Sequence, residues 1–254
     1  MLNLKKNKNK IKISENDILI KILKGNTWDD ICMDYLLSEE IMEKYSDKIN
    51  WHVIGASQVL NEKFIEKHQD KLYWLFICQY QELSEEFMEK YNYKLNWGYI
   101  SMYQKLNEEF MEKYIDKLDM EFICTYQKLS ENFMEKHSDK LNWNWTSAYQ
   151  ELSEYFMNKY YKKLNWNFVG RYQKINYEFI KKYNNKINWK QISKKQNLTE
   201  EFMEKYIEFI DLTLISEYQK LSYEFIKKHY NDLSIHGLKI NKKISDKTKK
   251  MLNI

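Results

Sequence analysis

Proline is absent from the 254 residues and glycine occurs only five times, which argues against a disordered chain of the Pro- and Gly-rich kind. With 31% charged and 16% aromatic residues, the composition suits a well-packed helical protein. No run of 18 apolar residues exists, so no membrane-spanning helix is expected, and the opening MLNLKKNKNKIKI lacks the apolar core of a secretory signal. The expectation is a soluble intracellular, cytoplasmic protein without membrane association. Cysteine is scarce as well, and Cys32, Cys78 and Cys124 stand 46 residues apart. If that spacing spans two stacked helical units it amounts to roughly 20 Å, whereas a disulfide needs Cα atoms within about 7 Å. Free thiols in a reducing compartment follow. HExxH, a Gly-rich phosphate loop and a nucleophile with a paired base are all missing. No catalytic residue, metal site, cofactor or small-molecule substrate is therefore expected.

Charge is unevenly distributed. Lysines 5, 6, 8, 10 and 12 give the first dozen residues +5, and Lys239, Lys242, Lys243, Lys247, Lys249 and Lys250 against Asp246 give the stretch 239–250 another +5. Since the formal net charge is +4, the remainder carries −6. Arg171 is the only arginine, and the abundance of Lys, Asn, Ile and Tyr indicates an AT-rich genome.

What the sequence does have is a 23-residue repeat. FMEKY and its variants begin at Ile41, Phe64, Phe87, Phe110, Phe133, Phe156, Phe179, Phe202 and Phe225 without insertion or deletion. Full repeats occupy 37–243. A degenerate capping repeat at 14–36 keeps Ile18, Lys21, Trp28, Ile31 and Cys32 in register, a basic tail occupies 1–13, and 244–254 reads as a C-terminal half-repeat. Atypical ends suit an array whose terminal units face water on one side.

One unit, Leu83–Lys105, shows the logic. Ser84, followed by Glu85 and Glu86, is a helix N-cap with acids in the first turn, and Leu83 and Met88 take the positions of a hydrophobic staple. Asn96 repeats the arrangement with Leu95 and Ile100, and Asn50, Asp119, Asn142, Asn165, Asn188 and Asp211 hold the same place elsewhere. Leu83, Phe87, Tyr91 and Leu95 recur every four residues, and Trp97, Ile100 and Tyr103 mark the buried side of the second helix. The recurring caps and helical spacing favour a helix over a strand in segments such as LNWNFVGRY. The fold expected is all-α: an αα-solenoid of short two-helix repeats, with helices of about eight to eleven residues that depend on their neighbours. The tryptophans at 28, 51, 74, 97, 143, 166 and 189 are expected in the core.

The columns of the repeat absorb most residues that could carry chemistry. The cysteines share a column with Gly55, Ser101, Ser147, Gly170, Ser193 and Ser216, as expected where one helix presses close against another; Lys239 breaks it in the last unit. His68, His137 and His229 replace a tyrosine found at 45, 91, 114, 160, 183 and 206, too far apart to share a metal. Lysines at 44, 67, 90, 113, 136, 159, 182, 205 and 228 form a ladder. A Glu four residues earlier, as in Glu86–Lys90 and Glu109–Lys113, points to pairs within the helix rather than to a phosphate track. Gln58, Gln81, Gln104, Gln127, Gln150, Gln173, Gln196 and Gln219 close each second helix. Their amides either satisfy backbone groups left open at the turn or offer a ladder to an extended peptide.

Variable positions four apart share one face of the second helix: His52 and Ala56, Leu75 and Gln79, Gly98 and Met102, Glu121 and Thr125, Asn144 and Ala148, Asn167 and Arg171, Lys190 and Lys194, Thr213 and Glu217. Varied chemistry on a fixed frame suits a modular reader, and drift of an unconstrained surface gives the same pattern. The unit W-x-x-[IV]-[small] followed by L-[ST]-x-E-F-[IM]-x-K resembles tandem repeats of uncharacterised proteins from giant viruses of amoebae, over roughly 14–243. It departs from them in having no proline and in carrying YQKLS, as at Tyr126–Ser130, where those repeats have an NPNIT-like turn. The resemblance implies helical repeats and a viral or low-GC source, and no activity. The function expected is a non-enzymatic scaffold binding a protein or peptide along the solenoid surface. The alternative is single-stranded nucleic-acid binding through the lysine ladder and the variable positions.

Overall fold

The computed structural model describes residues 10–253, so Lys5, Lys6 and Lys8 of the basic tail lie outside the described residues. The chain divides into two units, residues 1–127 and 128–254, each a run of the same two-helix repeat, and the protein is an all-α solenoid. In the unit Leu83–Lys105 the first helix is Glu85–Lys90 and the second Trp97–Tyr103. At six and seven residues these are shorter than expected. The ends are set by neighbours and not by propensity. Tyr91 leaves the helix to put its ring against Phe87 and Trp74, and Gln104 turns extended because its side chain is drawn to the preceding repeat.

Caps behave as their sequence dictates. Ser84 Oγ accepts from the Phe87 N–H at 3.1 Å and Asn96 Oδ1 from the Tyr99 N–H at 3.0 Å. Tyr73, in the same place in its repeat, provides no side-chain cap. An acid at the start of one first helix also reaches the next repeat. Glu62 accepts from the Ser84 N–H at 2.6 Å, as Glu85 does from Asn107, Glu131 from Ser153 and Glu200 from Ser222. Helices this short have no independent stability, so these cross-links and the buried stripe are what hold them.

The core runs along the junction of the two helix layers. Leu83, Phe87, Tyr91 and Leu95 are buried, and Met88 and Ile100 are completely so. Within each unit, consecutive second helices lie directly against one another, and the small-residue column sits at that contact, with Cys78, Ser101, Ser147, Ser193 and Ser216 fully enclosed. The serines also carry a hydrogen bond between repeats. Ser101 Oγ donates to Trp97 O at 2.7 Å and accepts the Asp119 N–H at 3.0 Å, and Ser147, Ser193 and Ser216 repeat the relay.

The tryptophans correct the expectation, being half-buried. Trp97 stacks on Phe110 and lies against Tyr114 of the next repeat, while Lys117 covers it at 5.2 Å. Lys71 over Trp51, Lys94 over Trp74 and Lys163 over Trp143 are equivalent.

The two ends differ from the middle. Glu15–Leu23 stops at Gly25, whose φ of +97° allows the Asn26 N–H to bond Lys21 O and its own N–H to bond Ile22 O, a Schellman stop. Ile11–Lys12 pairs in parallel with Tyr35–Leu36, and Lys10 Nζ donates to Ser57 O at 2.7 Å, so the inner end of the basic segment is docked on the first repeats. At the other end, Ser245 caps Asp246–Met251 in the place of a first helix. Just before it, Gly237 brings its helix so near Ser216 that a Cβ would stand 2.9 Å from the Ser216 Cβ.

Candidate binding surface

Much of what the sequence offers as a site belongs to the frame. Gln104 Oε1 accepts the Leu83 N–H at 3.0 Å, and Nε2 donates at 2.8 Å to both Cys78 O and Gln81 O. The same three bonds to the preceding repeat recur at Gln58, Gln81, Gln127, Gln173 and Gln219. Gln150 accepts the Leu129 N–H, and Gln196 donates to Gly170 O and Gln173 O. Gln58, Gln81, Gln104, Gln127, Gln150, Gln173 and Gln219 are buried. Both amide protons of a Gln bolt are thus engaged with the protein's own backbone, which corrects the alternative of a ladder open to a peptide. Asn241 takes over the role in the last repeat, donating to Ser216 O and Gln219 O.

Most of the lysine ladder is engaged in ion pairs too, though not as its spacing suggests, while Lys182 bonds Asn158 and Lys205 lies over the Tyr206 ring. Lys90 pairs with Glu66 of the preceding repeat at 2.5 Å, Lys113 with Glu89 at 2.7 Å, Lys159 with Glu135 at 2.9 Å and Lys228 with Glu204 at 2.8 Å. The partner stands 24 residues back instead of four. The same acid also accepts from the ring column: Tyr45 Oη donates to Glu15 at 2.6 Å, and His229 Nε2 lies 2.8 Å from Glu204. Lysine and ring together hold the Glu66 and Glu204 carboxyls below the ordinary range.

Burial shifts the titration of Cys32, Cys78 and His68. Burial pushes the thiol pKa of Cys32 up to about 12 and that of Cys78 up to about 11, so the nucleophilic thiolate is suppressed. Burial likewise lowers the pKa of His68, against a smaller opposing pull from Glu43. Among the described residues, no group of three His, Cys, Asp or Glu is placed to hold a metal, and no helix is long and apolar enough to cross a membrane.

The variable positions remain accessible, apart from Ala148, which is buried. In the first unit His52 and Glu121 are exposed, and Leu75, Gln79, Met102 and Thr125 are half-buried. His52 leans on the Tyr73 ring, Gln79 donates to Tyr103 Oη at 3.3 Å, and Thr125 Oγ1 bonds back to Glu121 O. In the second unit Asn144, Asn167, Arg171, Lys190 and Thr213 are exposed, and Lys194 and Glu217 half-buried. Asn144 and Asn167 accept from the cap amides of Asn165 and Asn188.

Beside these positions run two aromatic rows, two and six residues after the Trp column, of which the sequence pattern marks only Tyr103, and as part of the buried side. The first unit has Phe76 and Tyr80, Tyr99 and Tyr103, Phe122 and Tyr126; the second has Trp145 and Tyr149, Phe168 and Tyr172. Each pair is in ring contact within its helix. The i, i+4 aromatic spacing was visible in the sequence, but rings on a short helix read as core. Here they are half-buried, and Tyr126 and Tyr149 are more than half exposed at 52% and 53%. Variable and aromatic positions share one face of the second helices, and the frame leaves that face accessible. No protein family, no curated protein and no solved structure matches the chain, so the chemistry of this face is the guide to its function.

Proposed function

We propose that the protein is a non-enzymatic repeat scaffold that holds a protein segment along the second helices of residues 51–126. The observation that carries this reading is the row of partly exposed Leu75, Phe76, Tyr80, Tyr99, Met102, Tyr103, Phe122 and Tyr126. Between Trp51 and Gln127 the second helices and the turns after them bear only Glu82, Lys105 and Glu121 as charges. Aromatic and Met side chains with few charges are the composition of interface centres, and repetition along the array suits an extended partner. A phosphate track on the lysine ladder has less support, since Lys44, Lys67, Lys90 and Lys113 beside this surface already face carboxylates. Buried free thiols suit a reducing compartment such as the cytoplasm, and the repeat resemblance suits a viral source.

The test is a pull-down with the full chain after nuclease treatment, comparing wild type with Leu75→Glu/Met102→Glu. A protein retained by wild type and lost by the variant is expected. Equal retention by both, or no protein retained at all, refutes this surface.

A further inference from the structure

The second-helix face of residues 143–220 differs in charge from that of the first unit. Trp166–Tyr172 and the turn after it carry Arg171 and Lys174, Trp189–Lys195 carries Lys190, Lys194 and Lys195, and neither stretch contains an acid. Among the described residues none of these five cations is held in an ion pair, unlike Lys159 and Lys228 of the ladder. Two lie over rings instead, Arg171 over Tyr172 at 5.0 Å and Lys194 over Tyr218 at 4.6 Å.

Rings and cations alternate here. Tyr149 and Tyr172, 53% and 48% exposed, stack across neighbouring repeats with centroids 6.4 Å apart and planes 21° from parallel. That separation is nearly twice the roughly 3.4 Å step between stacked bases. The two rings line a cleft of about 320 Å³ that also includes Ala148, Leu152 and Lys174, with Glu151 as its acid. Trp145 and Phe168 continue the stacking beside it, 6.3 Å apart.

We infer that this face binds single-stranded nucleic acid, with bases on Tyr149 and Tyr172 and phosphates on Arg171, Lys174, Lys190, Lys194 and Lys195. A basic surface interleaved with half-exposed rings is what an unpaired strand requires, because each nucleotide brings both an anion and a π-face. An acidic peptide satisfies the cations and leaves the rings without a partner, and a duplex keeps its bases stacked inside. Repeats packed about 10 Å apart serve roughly one splayed nucleotide each. The site is separate from the protein-binding surface proposed at residues 51–126 and does not depend on it.

The experiment is fluorescence anisotropy of the full chain with a labelled single-stranded RNA of about twelve nucleotides, titrated between about 50 and 200 mM salt. Lys190→Gln/Lys194→Gln/Lys195→Gln should weaken binding and reduce the log–log salt slope by up to about 2, at about 0.7 for each phosphate no longer neutralised. Tyr149→Leu/Tyr172→Leu should weaken it by roughly 5- to 150-fold per base with the slope unchanged. Lys113→Gln and Leu75→Glu/Met102→Glu should bind as wild type does. The inference is overturned by no binding at low salt, by tyrosine variants that bind normally, by equal weakening in Lys113→Gln, or by displacement of the RNA by polyglutamate at equal charge.

Discussion

Replacing Gln104 by leucine keeps the volume of the side chain and removes only its amide. Three backbone groups of the preceding repeat then lose their partner: the Leu83 N–H and the carbonyls of Cys78 and Gln81. Gln104 is 5% exposed and Leu83 8%, so water does not readily replace the amide. An orphaned buried polar group costs about 1 to 3 kcal/mol. Three in the lower half of that range give about 3 to 5 kcal/mol. Because a repeat array is held by nearest-neighbour terms, the loss falls on one junction. Urea unfolding followed by tryptophan fluorescence should show a lower midpoint or a split transition. Hydrogen exchange should show the Leu83 amide losing protection while Leu37, bonded to Gln58, keeps it. Gln196→Leu is the internal comparison: Gln196 is half-buried and makes two donor bonds, so it should cost less. A loss under about 1 kcal/mol at Gln104, the range of ordinary surface changes, refutes the idea that the column bolts the repeats.

Ser147→Ala should cost about 1 kcal/mol by breaking the relay to the Asn165 N–H. Ser147→Leu should cost about 1 to 3 kcal/mol or more by forcing apart packed helices; thermal melts of both check the order. Stability should fall with acid in two stages. His68, whose folded pKa is depressed, contributes fully above about 6.5 and loses that contribution as pH drops through its folded value. Glu66 and Glu204, also depressed, hold theirs above about 4.3 and lose it at lower pH. Melting temperatures of wild type and His68→Tyr across pH 7 to 3 separate the stages, and an identical slope in both between 7 and 5 contradicts the histidine assignment. Cys32 and Cys78 should resist thiol reagents until urea is added; rapid native labelling would mean that the second helices part easily.

The period, the caps and the small-residue column were legible because each is local: a capping oxygen, an apolar spacing, a volume limit. What was not legible is which neighbour a residue addresses. Lys90 has a glutamate both four and 24 residues earlier, and spacing cannot tell that Glu66 and not Glu86 is the partner. Gln104 signalled unmet hydrogen bonds at a turn, yet nothing in the sequence says that the turn belongs to the preceding repeat. Trp97 read as core because an indole is apolar, whereas Lys117 lies over its outer side and leaves it half-exposed. On the binding face, the variable pairs stand out when units are compared, while the rings at Phe76, Tyr99 and Phe122 read as core because aromatic side chains on a short helix are usually buried.

Whether the proposed partner meets the second-helix face or the first helices is read directly by site-specific photo-crosslinking. A photoreactive residue at Met102 on the second helix and another at exposed Glu109 on the first helix differ by seven positions and by layer. A partner docked on the second helices gives a cross-linked protein from position 102 and none from 109. Cross-linking only from 109, or equally from both, would contradict that placement.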